Sequence, residues 1–319
     1  MFPLTVQAMH IPDGFLSLMI SLVCWILAAG SIVLAIQNSR KSFDDHLVPL
    51  AGIMAAFIFA AQMINFPVAG GTSGHFIGAA LATVVLGPWL GILVMTAVIT
   101  LQALLFQDGG LVVMGANILA MGVVPALISY GFYRAAVKRS RRTQLLTVAG
   151  ASWLAVMGGA LLVSLLLGFS GTSSFRVAVP AMLGIHAFIG IGEALITVAA
   201  FSFIRNARPQ LLQTSAVAGG RGWIAGGIIV TLLVVLISPF ASGFPDGLEW
   251  VAEENGFLHT AVSAPFQILP DYTIPALGET GLSTILAGVI GALVVAVIAF
   301  GLAHLLRGKK LENRPETGD

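Results

Sequence analysis

The chain has 319 residues, of which 57% are hydrophobic and only 9% are charged, and its mean hydropathy is +0.97. This composition excludes an ordinary soluble domain. A formal net charge of +1 gives no indication of a nucleic-acid partner, and a single cysteine excludes a disulfide framework. We therefore predict an all-α polytopic membrane protein.

The first polar segment of the chain is residues 9–15, with the sequence Met-His-Ile-Pro-Asp-Gly-Phe. If Met9 is the working start residue, one metal ion could contact three nitrogen groups here: the Met9 amine, the next amide nitrogen and the His10 imidazole. Nickel, cobalt, copper and zinc favour such nitrogen ligands. The alternative is a plain helix start, because a proline followed by an aspartate suits a first helical turn. Residues 1–8 are too short for a signal peptide and lack its basic residues, so we treat them as an extension.

Apolar runs recur along the chain, and a spanning helix needs about 20 apolar residues. The run 76–106 would be roughly 46 Å long as one helix, which is too long for one crossing of a hydrocarbon core of about 30 Å. The Gly87-Pro88 pair predicts a break within this run, because proline removes a backbone donor. The nine predicted spans are 15–37, 47–65, 76–87, 89–106, 112–133, 145–168, 180–204, 223–240 and 284–306.

Basic residues test this count, because short cytoplasmic loops carry an excess of lysine and arginine. With nine spans and an outside N-terminus, only Arg176 of the basic residues lies outside. The basic residues on the cytoplasmic side are Arg40, Lys41, Arg134, Lys138, Arg139, Arg141, Arg142, Arg205, Arg208, Arg221, Arg307, Lys309, Lys310 and Arg314. We therefore predict an outside N-terminus and a cytoplasmic C-terminus. The segments on the outer face are then residues 9–15, the loop 66–75, Asp108 and the loop 241–283.

The loop between the second and third predicted spans is a second candidate site. It begins at Asn65 and reads Asn-Phe-Pro-Val-Ala-Gly-Gly-Thr-Ser-Gly-His, and its glycines and proline allow tight turns. Its last residue, His75, stands where the next span begins, on the same predicted side as His10. His75 is either a second metal ligand or a surface histidine at a helix start.

Two ionisable residues fall within the seventh predicted span. His186 and Glu193 are seven residues apart and share one helical face. An acidic group at mid-helix costs roughly 2.5 to 3.5 kcal/mol on insertion scales, so Glu193 must face protein or water. The pair is either a metal or proton relay inside the bundle or a polar clamp to another segment, and the clamp is our preferred interpretation.

The character of the chain changes after the basic linker 206–222. Two final spans flank the outer loop 241–283, which is acidic and contains the sequence Pro245-Asp246-Gly247-Leu248-Glu249. Its carboxylates either raise the local cation concentration or are simply solvated. We predict a seven-span first module and a two-span second module at 223–306, followed by a cytoplasmic tail at 307–319.

Several catalytic motifs are missing from the sequence. It has no Gly-x-x-x-x-Gly-Lys-[Ser/Thr] phosphate loop, no His-Glu-x-x-His zinc motif and no Gly-x-Ser-x-Gly nucleophile elbow. We predict that the chain is not an enzyme and that any ATP-driven transport needs a partner subunit.

Three motifs together resemble one family. Residues 9–15, the loop ending at His75 and the Gly192-Glu193-Ala194 segment resemble the CbiM/NikM substrate-binding membrane subunit of energy-coupling factor transporters for cobalt and nickel. The resemblance covers about residues 9–205. Residues 223–306 resemble the two-span NikN/CbiN-type companion subunit, here fused, with the Pro-Asp-Gly-Leu-Glu sequence as its signature.

The resemblance implies a set of metal ligands. They are the amine of Met9, the backbone nitrogen and imidazole of His10, and the imidazole of His75. A planar set of four nitrogens suits nickel(II) and also serves cobalt(II). Because Met9 has a free amine only if residues 1–8 are absent, we expect Met9 to be the working start. The supporting residues are expected to be Asp13, Asn65 and Ser73, since metal-bound imidazoles need hydrogen-bond partners.

The resemblance also implies partners and a mechanism. The chain would bind Ni²⁺ or Co²⁺ as transported cargo, with no permanently bound cofactor. It would work with a CbiQ/NikQ-like transmembrane coupling subunit and cytoplasmic CbiO/NikO-like ATPases in the cell membrane. One alternative is a self-sufficient secondary transporter or channel that uses His186 and Glu193 as a relay, and another is a metal sensor or scaffold. The fused companion module tilts the choice of metal slightly towards nickel.

Overall fold

The computed structural model describes residues 9–41, 46–207 and 222–307. Among these residues, seven helices are long and apolar enough to cross a membrane, which confirms the all-α polytopic fold. The predicted extension 1–8, nearly all of the predicted linker and nearly all of the predicted tail lie outside the described residues.

Seven of the nine predicted spans contain a helix long enough to cross a membrane, whereas the helices in the runs 47–65 and 76–87 have only 16 and eight residues. The helices are α1 (Leu18–Lys41), α2 (Leu47–Gln62), α3 (Ala79–Leu86), α4 (Pro88–Leu101), α5 (Met114–Asn117), α6 (Val124–Ala136), α7 (Arg141–Ser170), α8 (Phe175–Ala207), α9 (Gly222–Ile237), α10 (Gly247–Glu254) and α11 (Gly281–Leu306). The π-helical turn Gln102–Phe106 extends α4, and a second one, Ile118–Val123, joins α5 to α6. Short 3-10 turns lie at Ser238–Phe240, Leu258–Thr260 and Pro270–Tyr272.

The loop after α2 forms an antiparallel hairpin of two strands, β1 (Asn65–Val68) and β2 (Thr72–His75). In its register Asn65 lies opposite His75. The turn between the strands contains Gly70 and Gly71, both with positive φ. The hairpin therefore carries His75 at its end, next to the start of α3.

The predicted break in the run 76–106 is present. Gly87 has φ +79° and ends α3, and Pro88 is the first residue of α4, where a missing amide hydrogen costs nothing. The first segment is shorter than the predicted span, because α3 has only eight residues and is about 12 Å long. The reason lies at its start, where Gly78 has φ +82° and the backbone is held by Glu193 instead of continuing the helix.

The two predicted modules pack directly against each other. α11 lies against α2 and α4, and α9 lies against α2. On the other side of the bundle α7 packs on α6 and α8, while α10, from the loop between α9 and α11, contacts α8 and β2. The loop between the last two spans therefore lies over the segments that carry His10 and His75.

Candidate metal centre

The segment that carries His10 is fixed by the chain just before α5 and by α5 itself. The side-chain amide of Asn117 donates to the carbonyl oxygen of Ile11 and accepts from its backbone N–H, both at 3.0 Å. Gly110 adds a backbone hydrogen bond of 2.9 Å to the same carbonyl. Because these partners are buried, the backbone around His10 has one defined conformation.

Asp13 anchors the other end of this segment. Its carboxylate accepts backbone N–H groups from Leu111, Val112 and Val113, at 3.0, 2.9 and 3.1 Å. Its own carbonyl accepts from Val262 at 2.7 Å. Asp13 thus joins the start of α5 to the loop 241–283, and its supporting role at a metal site stays a prediction.

Replacing Asp13 by alanine is expected to lower the free energy of unfolding by roughly 2 to 3 kcal/mol, because three backbone donors lose a charged acceptor. Thermal unfolding of the detergent-solubilised protein measures this change. Asp13→Asn keeps one acceptor oxygen and should fall between wild type and Asp13→Ala. Equal stability of the alanine variant and wild type would show that the carboxylate does not hold this segment.

His75 is held at the end of β2 by main-chain contacts. Its Nε2 lies 3.2 Å from the carbonyl oxygen of Met9, and its Nδ1 lies 3.2 Å from that of Phe76. Burial, followed by the neighbouring His10, lowers the pKa of His75 to about 4. The imidazole is therefore neutral at pH 7, the form in which histidine binds metals.

The structure brings His10 and His75 together. Their ring centroids are 5.7 Å apart with an interplanar angle of 47°, and both line one cavity of about 60 Å³. A metal–imidazole bond is about 2 Å long, so two rings at this distance can share one ion after small rotations. Residues 65 positions apart in sequence thus supply two nitrogen donors to one place.

The imidazole of His10 also contacts a carboxylate. Its Nδ1 lies 2.6 Å from Oδ1 of Asp108, and both side chains are almost fully buried. Burial acts to raise the pKa of Asp108, but the charge and hydrogen bond of His10, with the Tyr272 hydroxyl, outweigh it and lower that pKa below its usual value. Asp108 therefore occupies the Nδ1 atom of the His10 ring.

Nε2 of His10 is buried and has no hydrogen-bond partner among the described residues. A chelate that uses the amide nitrogen and imidazole of the same histidine needs Nδ1, because only Nδ1 closes a small ring with that amide. In this structure Nδ1 is instead in contact with Asp108. The four-nitrogen set implied by the resemblance would require His10 to release Asp108.

Further donors are needed to complete a metal site. Within residues 9–41, 46–207 and 222–307, no group of three or more His, Cys, Asp or Glu side chains is arranged to hold an ion. Main-chain nitrogen, thioether or water must therefore join the two imidazoles. Thioether groups are available, because Met9, Met121 and Met182 all line the cavity.

The Pro-Asp-Gly-Leu-Glu segment lies over this cavity. The carbonyl of Pro245 accepts from the backbone N–H of Ser73 at 2.8 Å, and the Ser73 hydroxyl donates to the carbonyl of Phe244 at 2.8 Å. Asp246 caps α10 by accepting from the N–H of Glu249 at 2.7 Å. The segment therefore covers one side of the cavity and is joined to the hairpin by Ser73.

Three residues of this segment line the cavity itself, namely Asp246, Gly247 and Leu248. Gly247 packs so closely against His186 that an added Cβ would lie 3.0 Å from its ring. Burial is the main cause that raises the pKa of Asp246 to about 6 and that of Glu249 to about 7. These carboxyl groups therefore bring less negative charge to the site than exposed ones would.

The other residues predicted from the sequence, His186, Glu193 and Asn65, do not contact one another through hydrogen bonds between their side chains. His186 lines the cavity, and its Nδ1 lies 2.8 Å from the Met182 carbonyl. Glu193 accepts the backbone N–H groups of Ile77 and Gly78 at 2.7 and 3.0 Å. Asn65 lies opposite His75, but its side-chain oxygen has no partner among the described residues. No hydrogen bond between described residues joins His186 to Glu193.

Three residues of the site were not assigned a role from the sequence: Asp108, Asn117 and Tyr272. Asp108 follows a predicted span and lies on the same predicted face as His10 and His75, and this position is a signal that could have identified it as a site residue. Asn117 sits within a predicted span and Tyr272 in a long loop, and neither belongs to a motif. Their contacts depend on pairings across the fold.

Comparison with known proteins identifies the family of this chain. Residues 10–211 match the family model for CbiM, described as the cobalt uptake substrate-specific transmembrane region. The chain belongs to the CbiM family. Residues 221–308 match the PDGLE domain, so this CbiM chain carries the fused second module.

Proteins similar to this chain, including two of known structure, carry the names of metal transporters. A protein of Archaeoglobus fulgidus that carries the name of a fused nickel transport protein, NikMN, is 36% identical over 307 residues, covering 94% of this chain and 99% of that protein. The fused nickel transport protein NikMN of Rhodobacter capsulatus is 31% identical over 355 residues, covering 94% and 99%. The crystal structure of a truncated transition metal transporter has 33% identity and a TM-score of 0.56, covering 62% of this chain and 99% of its own.

Proposed function

We propose that this CbiM chain is the substrate-binding membrane subunit of an ATP-driven energy-coupling factor importer for nickel(II) or cobalt(II). The observation that carries the proposal is the meeting of the His10 and His75 imidazoles in one buried cavity. The segment 244–248 covers that cavity from outside. A covered pair of imidazoles suits capture of a borderline metal ion from dilute solution.

The proposed ligands are Met9, His10 and His75, supported by Asp13, Asn65 and Ser73. Met9 contributes its amine when it is the first residue, and its carbonyl oxygen lies 3.2 Å from Nε2 of His75. Intact-mass measurement of metal-loaded protein tests this ligand. A fully loaded protein that still carries residues 1–8 would remove the amine from the set.

The proposed orientation places the site at the outer face and the C-terminus in the cytoplasm. The uneven distribution of lysine and arginine supports it. The sequence carries no phosphate-loop motif of its own, so the energy would come from a CbiQ/NikQ-like coupling subunit with CbiO/NikO-like ATPases. The transported ion is the cargo, and no nucleic acid takes part.

Nickel is the favoured cargo. The relatives that share both modules over almost their whole length are named as nickel transport proteins. Metal analysis of protein purified from cells supplied with equal nickel and cobalt tests this preference. Retention of cobalt in excess over nickel would reverse it.

Uptake by proteoliposomes is expected to need the partner subunits. The chain alone should bind ⁶³Ni(II) without accumulating it, whereas addition of coupling and ATPase subunits with ATP should give accumulation at least about 10-fold above the leak, because concentrating an ion requires an energy source. Accumulation by the chain alone, unaffected by ATP, would instead favour the secondary transporter with its His186 and Glu193 relay.

A further inference from the structure

Five basic side chains lie close together where α6 ends and α7 begins. All five are exposed, and they are Arg134, Lys138, Arg139, Arg141 and Arg142. In the part of the chain that the structure describes, no carboxylate pairs with any of them. Three of the five, with Ala135 and Val137, line an open groove of about 590 Å³, which we call the α6–α7 groove. It concentrates positive charge without a counterion from the described residues.

The groove has a defined shape, because side chains hold the turn between the two helices. Gln144 donates from Nε2 to the carbonyl oxygens of Val137 and Arg139, at 2.6 and 3.2 Å. Its Oε1 accepts from the guanidinium group of Arg205 on α8. Ser140 caps the first turn of α7 with its side chain. The turn is therefore fixed without using any of the five charged groups.

The position of two of these charges is unfavourable for the chain alone. Arg141 and Arg142 are the first two residues of α7, and the first turn of this helix contains no acidic residue. A helix N-terminus carries a partial positive charge, which favours anions and disfavours cations. Repulsion among the five like charges adds to this cost. An anion bound from outside would lower both contributions.

Exposed apolar surface continues from the groove along α6. Leu127 and Arg134 share one face of this helix, because they are seven residues apart. Leu127 is 49% exposed, and Val137 within the groove is 48% exposed. Along the helix axis Leu127 lies about 10 Å from Arg134, which is less than half of a hydrocarbon core of about 30 Å. This face therefore presents apolar surface at the depth of acyl chains and positive charge at the depth of headgroups.

We propose that the α6–α7 groove binds the headgroup of an anionic phospholipid, with an acyl chain along the face of α6 that carries Leu127. Arg134, Lys138 and Arg139 supply the positive charge for its phosphate, and arginine binds phosphate oxygens through paired hydrogen bonds. Basic pockets at the cytoplasmic ends of spanning helices suit such headgroups. The adjoining apolar surface favours a lipid over a free phosphate ion or an acidic protein segment.

The proposed orientation of the chain places this groove at the cytoplasmic leaflet. Anionic lipids give that leaflet its negative surface potential, which attracts basic residues next to spanning helices. The groove shares no residue with the metal centre. Lipid binding there is thus a second property of the chain, separate from the capture of a metal ion.

The test is native mass spectrometry of the full chain in detergent with two added lipids. Dioleoylphosphatidylglycerol and dioleoylphosphatidylcholine have the same acyl chains but differ in net charge, and wild type is expected to bind the first at least about 10-fold more tightly. The double variant Lys138→Gln/Arg139→Gln should lose at least about 10-fold in affinity for phosphatidylglycerol, because each basic group near an anionic headgroup contributes about 5-fold. Its affinity for phosphatidylcholine should change by less than about 2-fold.

Arg40→Gln/Lys41→Gln is the matched control, because it removes the same charge from exposed residues at the end of α1. This variant should bind phosphatidylglycerol within about 2-fold of wild type, since charges beyond a Debye length of about 10 Å are screened. Thermal unfolding checks that both double variants are folded. Inorganic phosphate should displace the lipid no better than chloride at equal ionic strength, because it lacks acyl chains.

Equal phosphatidylglycerol affinity of Lys138→Gln/Arg139→Gln and wild type would overturn the proposal. Equal losses in the two double variants would also contradict it, because binding would then follow net charge alone. Displacement by inorganic phosphate but not by chloride would indicate a site for the free anion instead. If Lys138→Gln/Arg139→Gln kept its lipid but no longer assembled with the coupling subunit, the groove would belong to a protein partner. None of these outcomes depends on nickel binding, so the proposed function is tested separately.

Discussion

Replacing His75 by alanine is expected to lower the nickel(II) affinity of the CbiM chain at least about 100-fold, a larger effect than the 10- to 100-fold typical of outer partners. His75 supplies one of the two imidazoles at the cavity, and its ring lies 5.7 Å from that of His10. The fold should survive, because β2 is held by its pairing with β1 and by Ser73. Isothermal titration in detergent measures the loss.

His259→Ala is the matched control for this experiment. His259 is an exposed histidine of the loop 241–283, and its removal should leave nickel affinity within about 2-fold of wild type, as expected for a surface change away from the site. Comparable losses in both variants would mean that surface histidines, not the cavity, bind the metal. His10→Ala should match His75→Ala, because either change leaves a single imidazole.

The sequence was sufficient to predict the seven long helices, since their apolar runs have the length that a bilayer demands. It also predicted the break at Gly87-Pro88, because proline acts locally through its own ring. The shortness of α3 could not be predicted in this way. It depends on Glu193, which lies 116 positions from Ile77 and captures its amide.

The same difference between local sequence signals and long-range contacts applies to the metal site. His10 and His75 stand within motifs and on the same predicted face, so their meeting could be anticipated. Asp108, Asn117 and Tyr272 are single polar residues whose roles come from contacts across 98 to 170 positions. No periodicity or spacing reports such pairings, because they follow from tertiary packing, within the first module for Asp108 and Asn117 and between the two modules for Tyr272.

For Glu193 the two interpretations of the sequence, an intramembrane relay and a polar clamp, predict different effects of substitution. In the structure its buried carboxylate joins α8 to the segment between His75 and α3 by accepting two backbone N–H groups. Each oxygen of this carboxylate accepts one backbone N–H group, so both oxygens are occupied. We therefore expect a loss of stability, and only secondarily a loss of metal binding, when it is removed.

Glu193→Ala is expected to lower the free energy of unfolding by about 3 to 5 kcal/mol, because two buried amides lose their acceptor at about 1 to 3 kcal/mol each and a cavity remains. Thermal unfolding in detergent measures it. Glu253→Ala, at an exposed position of α10, is the control and should change stability by less than about 0.5 kcal/mol. Glu193→Gln keeps one carbonyl acceptor and should lose less than the alanine variant. If Glu193→Gln instead kept full stability and nickel affinity but abolished uptake, the carboxylate would be carrying charge during transport, and the relay interpretation would replace the anchor.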